Sequence, residues 1–265
     1  MSSLSEGLLD LAERAARRAG RELLGRYGNA SGVSTKSSAT DPVSDADRAS
    51  EEILVSTLLN ERPDDGLLGE EGAARPAASG LRWVLDPLDG TVNYLYRFPA
   101  WCVSVACEDR VDGEWTAVVG VVHDPLGDET FTARRGGGAW LNGTRLRVND
   151  PVPIDRALVA TGFSYEADRR RRQAAVVAEL LPLVRDIRRA GSAALDLCAL
   201  AAGRVDGYFE DIPSRWDWAA GALVAAEAGA QVDWLPTRAG DDCVLAAGPA
   251  LAGLLLAAVG GPQRP

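Results

Sequence analysis

Apolar residues recur three or four positions apart at the start of the chain. Leu4, Leu8, Leu11, Ala15, Ala19 and Leu23 form one stripe, while Arg14, Arg17, Arg18 and Arg21 lie largely off it. That period predicts an amphipathic helix ending near Gly28. Polar residues at 36–40 mark a loop. Ser44, with Asp47 three positions later, then opens a second helix through Ile53, Leu54 and Leu58 to about Asn60, the serine serving as N-cap. Short apolar runs follow at 83–85, 101–106, 116–122 and 128–133, each strand-like, and the glycines of 136–143 read as a tight turn. After about Asn149 the texture changes to alternation. Strands are expected at 157–163, 205–210 and 243–247, with a short segment at 186–189. Helices are expected at 168–181, 192–202, 216–228 and 249–259, two of them stopped by Gly203 and Gly229. Alternating strands and helices argue for α/β layering.

The run at 83–85 leads into Asp86-Pro87-Leu88-Asp89-Gly90-Thr91. Pro87 keeps Asp86 extended, and Gly90 can take backbone angles closed to other residues. A turn here displays two carboxylates three positions apart, then backbone N–H groups and the Thr91 hydroxyl. Two anions this close repel unless a cation lies between them, and carboxylate, carbonyl and water oxygens suit a hard divalent ion. The alternative is an Asp-Pro turn with solvated acids. Two further acidic clusters, Gly69-Glu70-Glu71-Gly72 and Trp216-Asp217-Trp218-Ala219-Ala220-Gly221, have equally ordinary readings, as loop acids and as a capping box between Ser214 and Asp217.

Composition narrows the chemistry. The 265 residues can form one large domain or two compact lobes, and 46% hydrophobic residues can bury a core. With 38 acids against 28 bases and a net charge of −10, the chain is not expected to bind nucleic acid or an anionic membrane. The arginines at 169–172 are expected to be a solvated helix face. His123 is the one histidine, which argues against a His-rich zinc site or a Ser-His-Asp triad. Catalysis must then rest on carboxylates, hydroxyls and backbone amides. Cys102, Cys107, Cys198 and Cys243 have no CxxC spacing and are expected to be buried free thiols of a reducing cytosol. No cationic start followed by an apolar segment is present, and residues 251–259 are too short to cross a bilayer, so a cytoplasmic location is expected.

Taken in order, Lys36, the segment from Asp41 to Asp47, Glu70, the segment from Asp86 to Thr91, Gly191-Ser192-Ala193-Ala194, Glu210 and Trp216 to Gly221 resemble the inositol monophosphatase family of magnesium-dependent, lithium-sensitive phosphatases, over nearly the whole chain. The resemblance implies an α/β (α+β) fold, a five-layered αβαβα sandwich, with an N-terminal lobe over 1–149 carrying most metal ligands and a C-terminal lobe over 150–265. It implies that Glu70, Asp86 and the Leu88 carbonyl hold one Mg²⁺, that Asp86, Asp89 and Asp217 hold a second, and that Glu70 holds a looser third. Gly90 and Thr91 would bind phosphate. Thr91, steadied by Asp47 and working with Glu70, would orient the attacking water. Gly191, Ser192, Ala193, Ala194, Glu210 and Asp217 would face the hydroxyls of a small phosphorylated sugar or polyol. The reaction implied is release of phosphate from inositol monophosphate by metal-activated water, in a homodimer. Fructose bisphosphate, histidinol phosphate or adenosine bisphosphate are alternative substrates within the family. A regulatory binding role is the alternative of another class.

Overall fold

The computed structural model describes residues 2–29, 32–35, 42–211, 213–236 and 242–260. Lys36 and Asp41, both part of the resemblance, and the expected loop at 36–40 lie outside the described residues. The two N-terminal helices form as their patterns require: α1 spans Ser2–Arg26 and α2 spans Asp45–Glu61. Ser44 caps α2 reciprocally, its Oγ accepting from the Ala46 amide at 3.2 Å while the Asp47 carboxylate accepts from the Ser44 amide at 2.9 Å.

Both helices pack on one face of an eight-stranded sheet. Its strands lie in the order Thr144–Arg145, Gly138–Leu141, Glu129–Arg134, Glu114–Asp124, Cys102–Val111, Arg82–Asp89, Gly66–Gly69 and Ala74–Arg75. Every pairing is antiparallel except that of Gly66–Gly69 with Arg82–Asp89, which is parallel. Trp83, Leu85, Val103, Val105, Val119 and Val121 point toward α1 and α2, while Val84, Ala106, Val122 and Phe131 point the other way. Burial on both faces explains why these strands read as continuous apolar runs.

The second face meets α5 (Ala193–Ala201) and α6 (Arg215–Glu227), which follow the short α3 (Thr91–Tyr96) and α4 (Ala167–Leu180) in the chain. Their contact faces are small: Ala194, Ala201, Ala219 and Ala220 pack on the sheet. A Cβ at Gly120 would come 2.9 Å from the Ala220 carbonyl, so that helix and strand approach backbone to backbone. Behind α5 and α6 lies a five-stranded sheet ordered Asp186–Arg188, Leu158–Thr161, Gly207–Asp211, Asp242–Ala247 and Gln231–Pro236. Its far side is covered by α4 and α7 (Pro249–Val259). The layers therefore run helix, sheet, helix, sheet, helix, the expected αβαβα sandwich.

Two local expectations are corrected, and one strand is added to those expected. The strand from Arg82 does not end at Asp86 but continues to Asp89. Asp86 lies opposite Ser104 and Asp89 opposite Cys102, so three steps on one strand match two on its neighbour. This is a bulge, and it places Pro87, which cannot donate to a ladder, where the ladder is already broken. The glycine segment at 136–143 contains a strand, Gly138–Leu141, between its turns. Finally, Gln231–Pro236 forms an edge strand that its mixed polarity had concealed.

Candidate active site

The bulge is the device that gathers the acids. It lets Asp86 and Asp89 leave one strand toward the same space, and Asp86 Oδ1 accepts from the Leu88 amide at 3.0 Å, closing the turn on itself. Glu70 arrives from the neighbouring strand by register. Gly69 pairs with Leu85 in the parallel ladder, and the Glu70 amide continues it to the Leu85 carbonyl at 3.2 Å, so Glu70 stands beside Asp86. Asp86 and Glu70 repel each other there, which raises the proton affinity of Asp86.

Gly90 follows with φ +93°, and a Cβ there would come 2.8 Å from the Ala100 carbonyl, so glycine is required on both counts. It hands over to Thr91 at the start of α3. Thr91 Oγ1 lies 3.0 Å from Asp47 Oδ1 and 3.1 Å from the Leu88 carbonyl. Asp47 is in turn held by Ser44, whose hydroxyl donates to its other oxygen at 2.5 Å.

The other half of the site comes from beyond residue 160. Ser192, the N-cap of α5, donates from Oγ to Asp89 Oδ2 at 2.6 Å, and the Ala194 amide donates to the same oxygen at 2.8 Å. Asp217 sits in the first turn of α6 and accepts from the Ser214 amide at 2.6 Å. Asp217 is thus the capping-box residue the spacing predicts, and it also borders the cavity. Glu210 is the next-to-last residue of the strand Gly207–Asp211, with the Tyr208 hydroxyl donating to it at 2.9 Å. A cavity of about 470 Å³ opens among these residues. Glu70, Asp86, Leu88, Asp89, Gly90, Thr91, Glu210 and Asp217 all border it, as do Gly191, Ser192 and Ala193. Ala194 is fully buried off the cavity wall, and Asp47 lies one bond behind Thr91.

Confinement shows in the proton affinities. Burial, then the charges of Glu70, Asp89 and Asp217, hold Asp86 well above the usual carboxylate range, and Asp217 is raised likewise by burial and its neighbours. Burial pushes Asp89 up to about 6 against the opposing bonds from Ser192 and Ala194, and pushes Glu210 up to about 7. Carboxylates crowded out of water and repelling one another are the donor set a hard divalent cation satisfies. Among the described residues no three carboxylate, imidazole or thiol side chains converge closely enough to hold an ion as they stand. The donors therefore fit such an ion in chemistry, and closing on it works against the raised proton affinities of Asp86, Asp89 and Asp217.

Three contributors, Gly162, Asn93 and Arg189, carried no signal in the sequence pattern, and a fourth, Arg169, belongs to the run expected to be a solvated helix face but borders the cavity. Gly162, just past the strand Leu158–Thr161, leaves room for the Glu210 carboxyl, to which a Cβ would come within 2.1 Å. Asn93 on α3 donates to the carbonyls of Ala100 at 2.6 Å and Ala190 at 2.9 Å, tying the α3 loop to the Gly191 loop. Arg189 borders the cavity, as does Arg169, which pairs with Glu166 at 3.3 Å. A glycine flanking a strand and an arginine in a loop have many ordinary explanations, and only the fold brings these near Glu210. His123 is a packed histidine, its Nδ1 2.9 Å from Thr130 Oγ1. The four cysteines are buried, and no disulfide joins them.

A profile described as the inositol monophosphatase family matches residues 5–259. An inositol-1-monophosphatase of Mycobacterium bovis is 45% identical over 98% of this chain and 93% of its own. A protein of Escherichia coli named Nus factor SuhB is 40% identical over 84% of this chain and 83% of its own. Among solved structures, the extragenic suppressor protein suhB of Bartonella henselae superposes with a TM-score of 0.86 at 36% identity, covering 95% of this chain and 98% of that one.

Proposed function

The chain belongs to the inositol monophosphatase family, and from that premise we propose that it is a Mg²⁺-dependent phosphomonoesterase acting on inositol monophosphate. The observation that carries the reading is the convergence of Glu70, Asp86, Asp89 and Asp217, from three distant parts of the chain, on one acid-lined cavity. Glu70, Asp86 and the Leu88 carbonyl would hold one ion, and Asp86, Asp89 and Asp217 a second. When bound, such ions acidify a water and offset the charge on the departing oxygen.

The protein's own groups do the rest. Thr91, its hydroxyl tied to Asp47, and Glu70 orient the water that attacks phosphorus. Gly90 and Thr91 offer amides to the phosphate. Glu210 and the Gly191–Ala193 wall accept and orient the polyol hydroxyls, and Glu210 needs such partners because a buried carboxylate without them is costly. A screen of phosphate release over phosphorylated polyols, sugar bisphosphates and nucleotides, with and without Mg²⁺, tests this. Inositol monophosphate should lead and adenosine bisphosphate should trail. The reverse order would assign the site to another branch of the family.

The relative named as a Nus factor favours a second reading, a regulatory binding role. The two separate cleanly, because a binding role survives substitution of the acids whereas phosphate release does not. Homodimers, by the same family likeness, are expected in either case, and light scattering across a range of concentrations tests that.

A further inference from the structure

Behind the cavity lies a charge cluster that none of the roles above uses. Glu108, on the strand Cys102–Val111, is completely buried, yet its carboxylate serves two arginines from distant parts of the chain. Arg82, its cross-strand neighbour in the same sheet, donates from Nε to Oε2 at 2.7 Å. Arg215, the first residue of α6, donates from Nε to Oε1 at 2.7 Å and from Nη2 to the same atom. Arg215 also donates to the Trp115 carbonyl at 2.9 Å. Both guanidiniums are covered by indoles, Arg82 at 4.3 Å from the Trp115 ring centre and Arg215 at 4.1 Å from that of Trp218. Each charge is thus held in a fixed plane, where a forked donor loses little entropy on bonding.

The two arginines differ in what they join. Arg82 and Glu108 already face each other across one ladder, so their bond adds little positional information. Arg215 reaches from the start of α6 back to the eight-stranded sheet, and it lies two residues before Asp217. The Ser104 hydroxyl makes a second link, 3.3 Å from the Trp216 carbonyl, and Ser104 is the cross-strand partner of Asp86. We propose that Arg215, clamped by buried Glu108, is a positioning residue that holds the first turn of α6, and with it Asp217, in register with Asp86 and Asp89. The proposal rests on the reading of these acids as a divalent-cation site. It gives the cluster a geometric task, since a shared ion needs Asp217 and Asp89 at a fixed separation although no covalent connection shorter than α6's whole approach sets it. Supporting groups one shell out from an ion commonly govern affinity this way, by about 10–100-fold.

The test compares Arg215→Lys with Arg82→Lys, each keeping a positive charge and losing its fork. The full-length protein, stripped of metal, is titrated with Mn²⁺ alone, and free ion is followed by its paramagnetic resonance signal. Arg215→Lys should weaken binding about tenfold, and Arg82→Lys should leave it within about twofold. Glu108→Gln, if it folds, should match Arg215→Lys. Melting temperatures recorded beside the titrations report the structural cost separately. Equal effects of the two lysine variants, or a melting shift with no change in Mn²⁺ affinity, would overturn the clamp. Asp217→Asn is run alongside. If it fails to weaken Mn²⁺ binding, the cation-site reading itself is wrong and the clamp falls with it. If it weakens binding while Arg215→Lys does not, the clamp alone is wrong.

Discussion

Replacing Gly162 with alanine adds one methyl group facing the Glu210 carboxyl. A Cβ there would lie 2.1 Å from both Cδ and Oε2 of Glu210, far inside contact distance, so one of them must move. The backbone at 162 is not left-handed, and alanine is therefore conformationally tolerable. The obstacle is also the tip of a flexible side chain, which can swing aside more cheaply than a packed core can open. The stability cost should fall at or below the low end of the usual overpacking range, about 1 kcal/mol, partly offset by the reduced freedom of the unfolded chain. Displacing the carboxylate removes its bond from Tyr208 and its reach to substrate hydroxyls. A hydrogen bond to a charged group contributes about 1.5–3 kcal/mol, so kcat/KM for inositol monophosphate should fall roughly 10–100-fold. An aryl phosphate with no ring hydroxyls should be hydrolysed almost as before. The assay is phosphate release from both substrates at saturating Mg²⁺, beside a melting curve. An equal loss on the two substrates would refute the reasoning, because Gly162 would then serve the metal site or the fold.

Other expectations follow from the same geometry. Glu210→Gln should likewise weaken turnover of inositol monophosphate more than that of an aryl phosphate, and equal losses would assign Glu210 a structural role. Asp89 and Glu210 bind protons more tightly folded than unfolded, up to about 6 and 7, so the metal-free native state holds more protons than the unfolded chain and loses stability as pH rises from about 4 to 7. His123, which burial lowers to about 4, works in the opposite direction between about 4 and 6.5. The informative quantity is accordingly the Mg²⁺-induced rise in melting temperature, in which His123 cancels. That rise should be larger at pH 8 than at pH 5, and a rise independent of pH would contradict proton release from the acids on metal binding. Lithium should inhibit at millimolar concentrations by occupying the position assigned to Asp86, Asp89 and Asp217, where a single charge cannot run the reaction. Lithium-insensitive activity that still needs Mg²⁺ would show that this position is built differently.

The helix boundaries were legible where a helix carries its own start or stop, whereas the five-layered order rested on the family resemblance. Ser44 with Asp47 and Ser214 with Asp217 are capping boxes that survive any tertiary context, and Gly203 and Gly229 both take positive φ just past the helices they follow. The acids were legible because Asp86, Asp89, Glu70 and Asp217 stand in short segments whose order and spacing resemble a known family. What stayed hidden depends on pairing between distant segments. The bulge between Asp86 and Asp89 exists only against Ser104 and Cys102, and the pattern of a single strand cannot distinguish it from a turn. The edge strand Gln231–Pro236 mixes polar and apolar positions because one side has no neighbour. Gly162 matters through Glu210, and Arg215 through Glu108. Each of these pairs is separated by dozens of residues, and neither member marks the other. The bonds from the Ser192 hydroxyl and the Ala194 amide to Asp89 are of the same kind, since only the fold brings these segments together.

Asp89→Asn puts the central claim to its most direct test, by phosphate release from inositol monophosphate after metal has been stripped and Mg²⁺ added back. The substitution keeps the shape of the side chain and an oxygen for Ser192 and Ala194 to donate to, but removes one of the charges crowding the cavity. The wild-type protein should be inactive when stripped and recover fully with Mg²⁺ alone. The variant should stay folded and remain nearly inactive at every Mg²⁺ concentration. Activity in the stripped wild-type protein, or wild-type turnover by the variant at limiting Mg²⁺, would contradict the assignment of this acid-lined cavity as a metal-dependent phosphatase site.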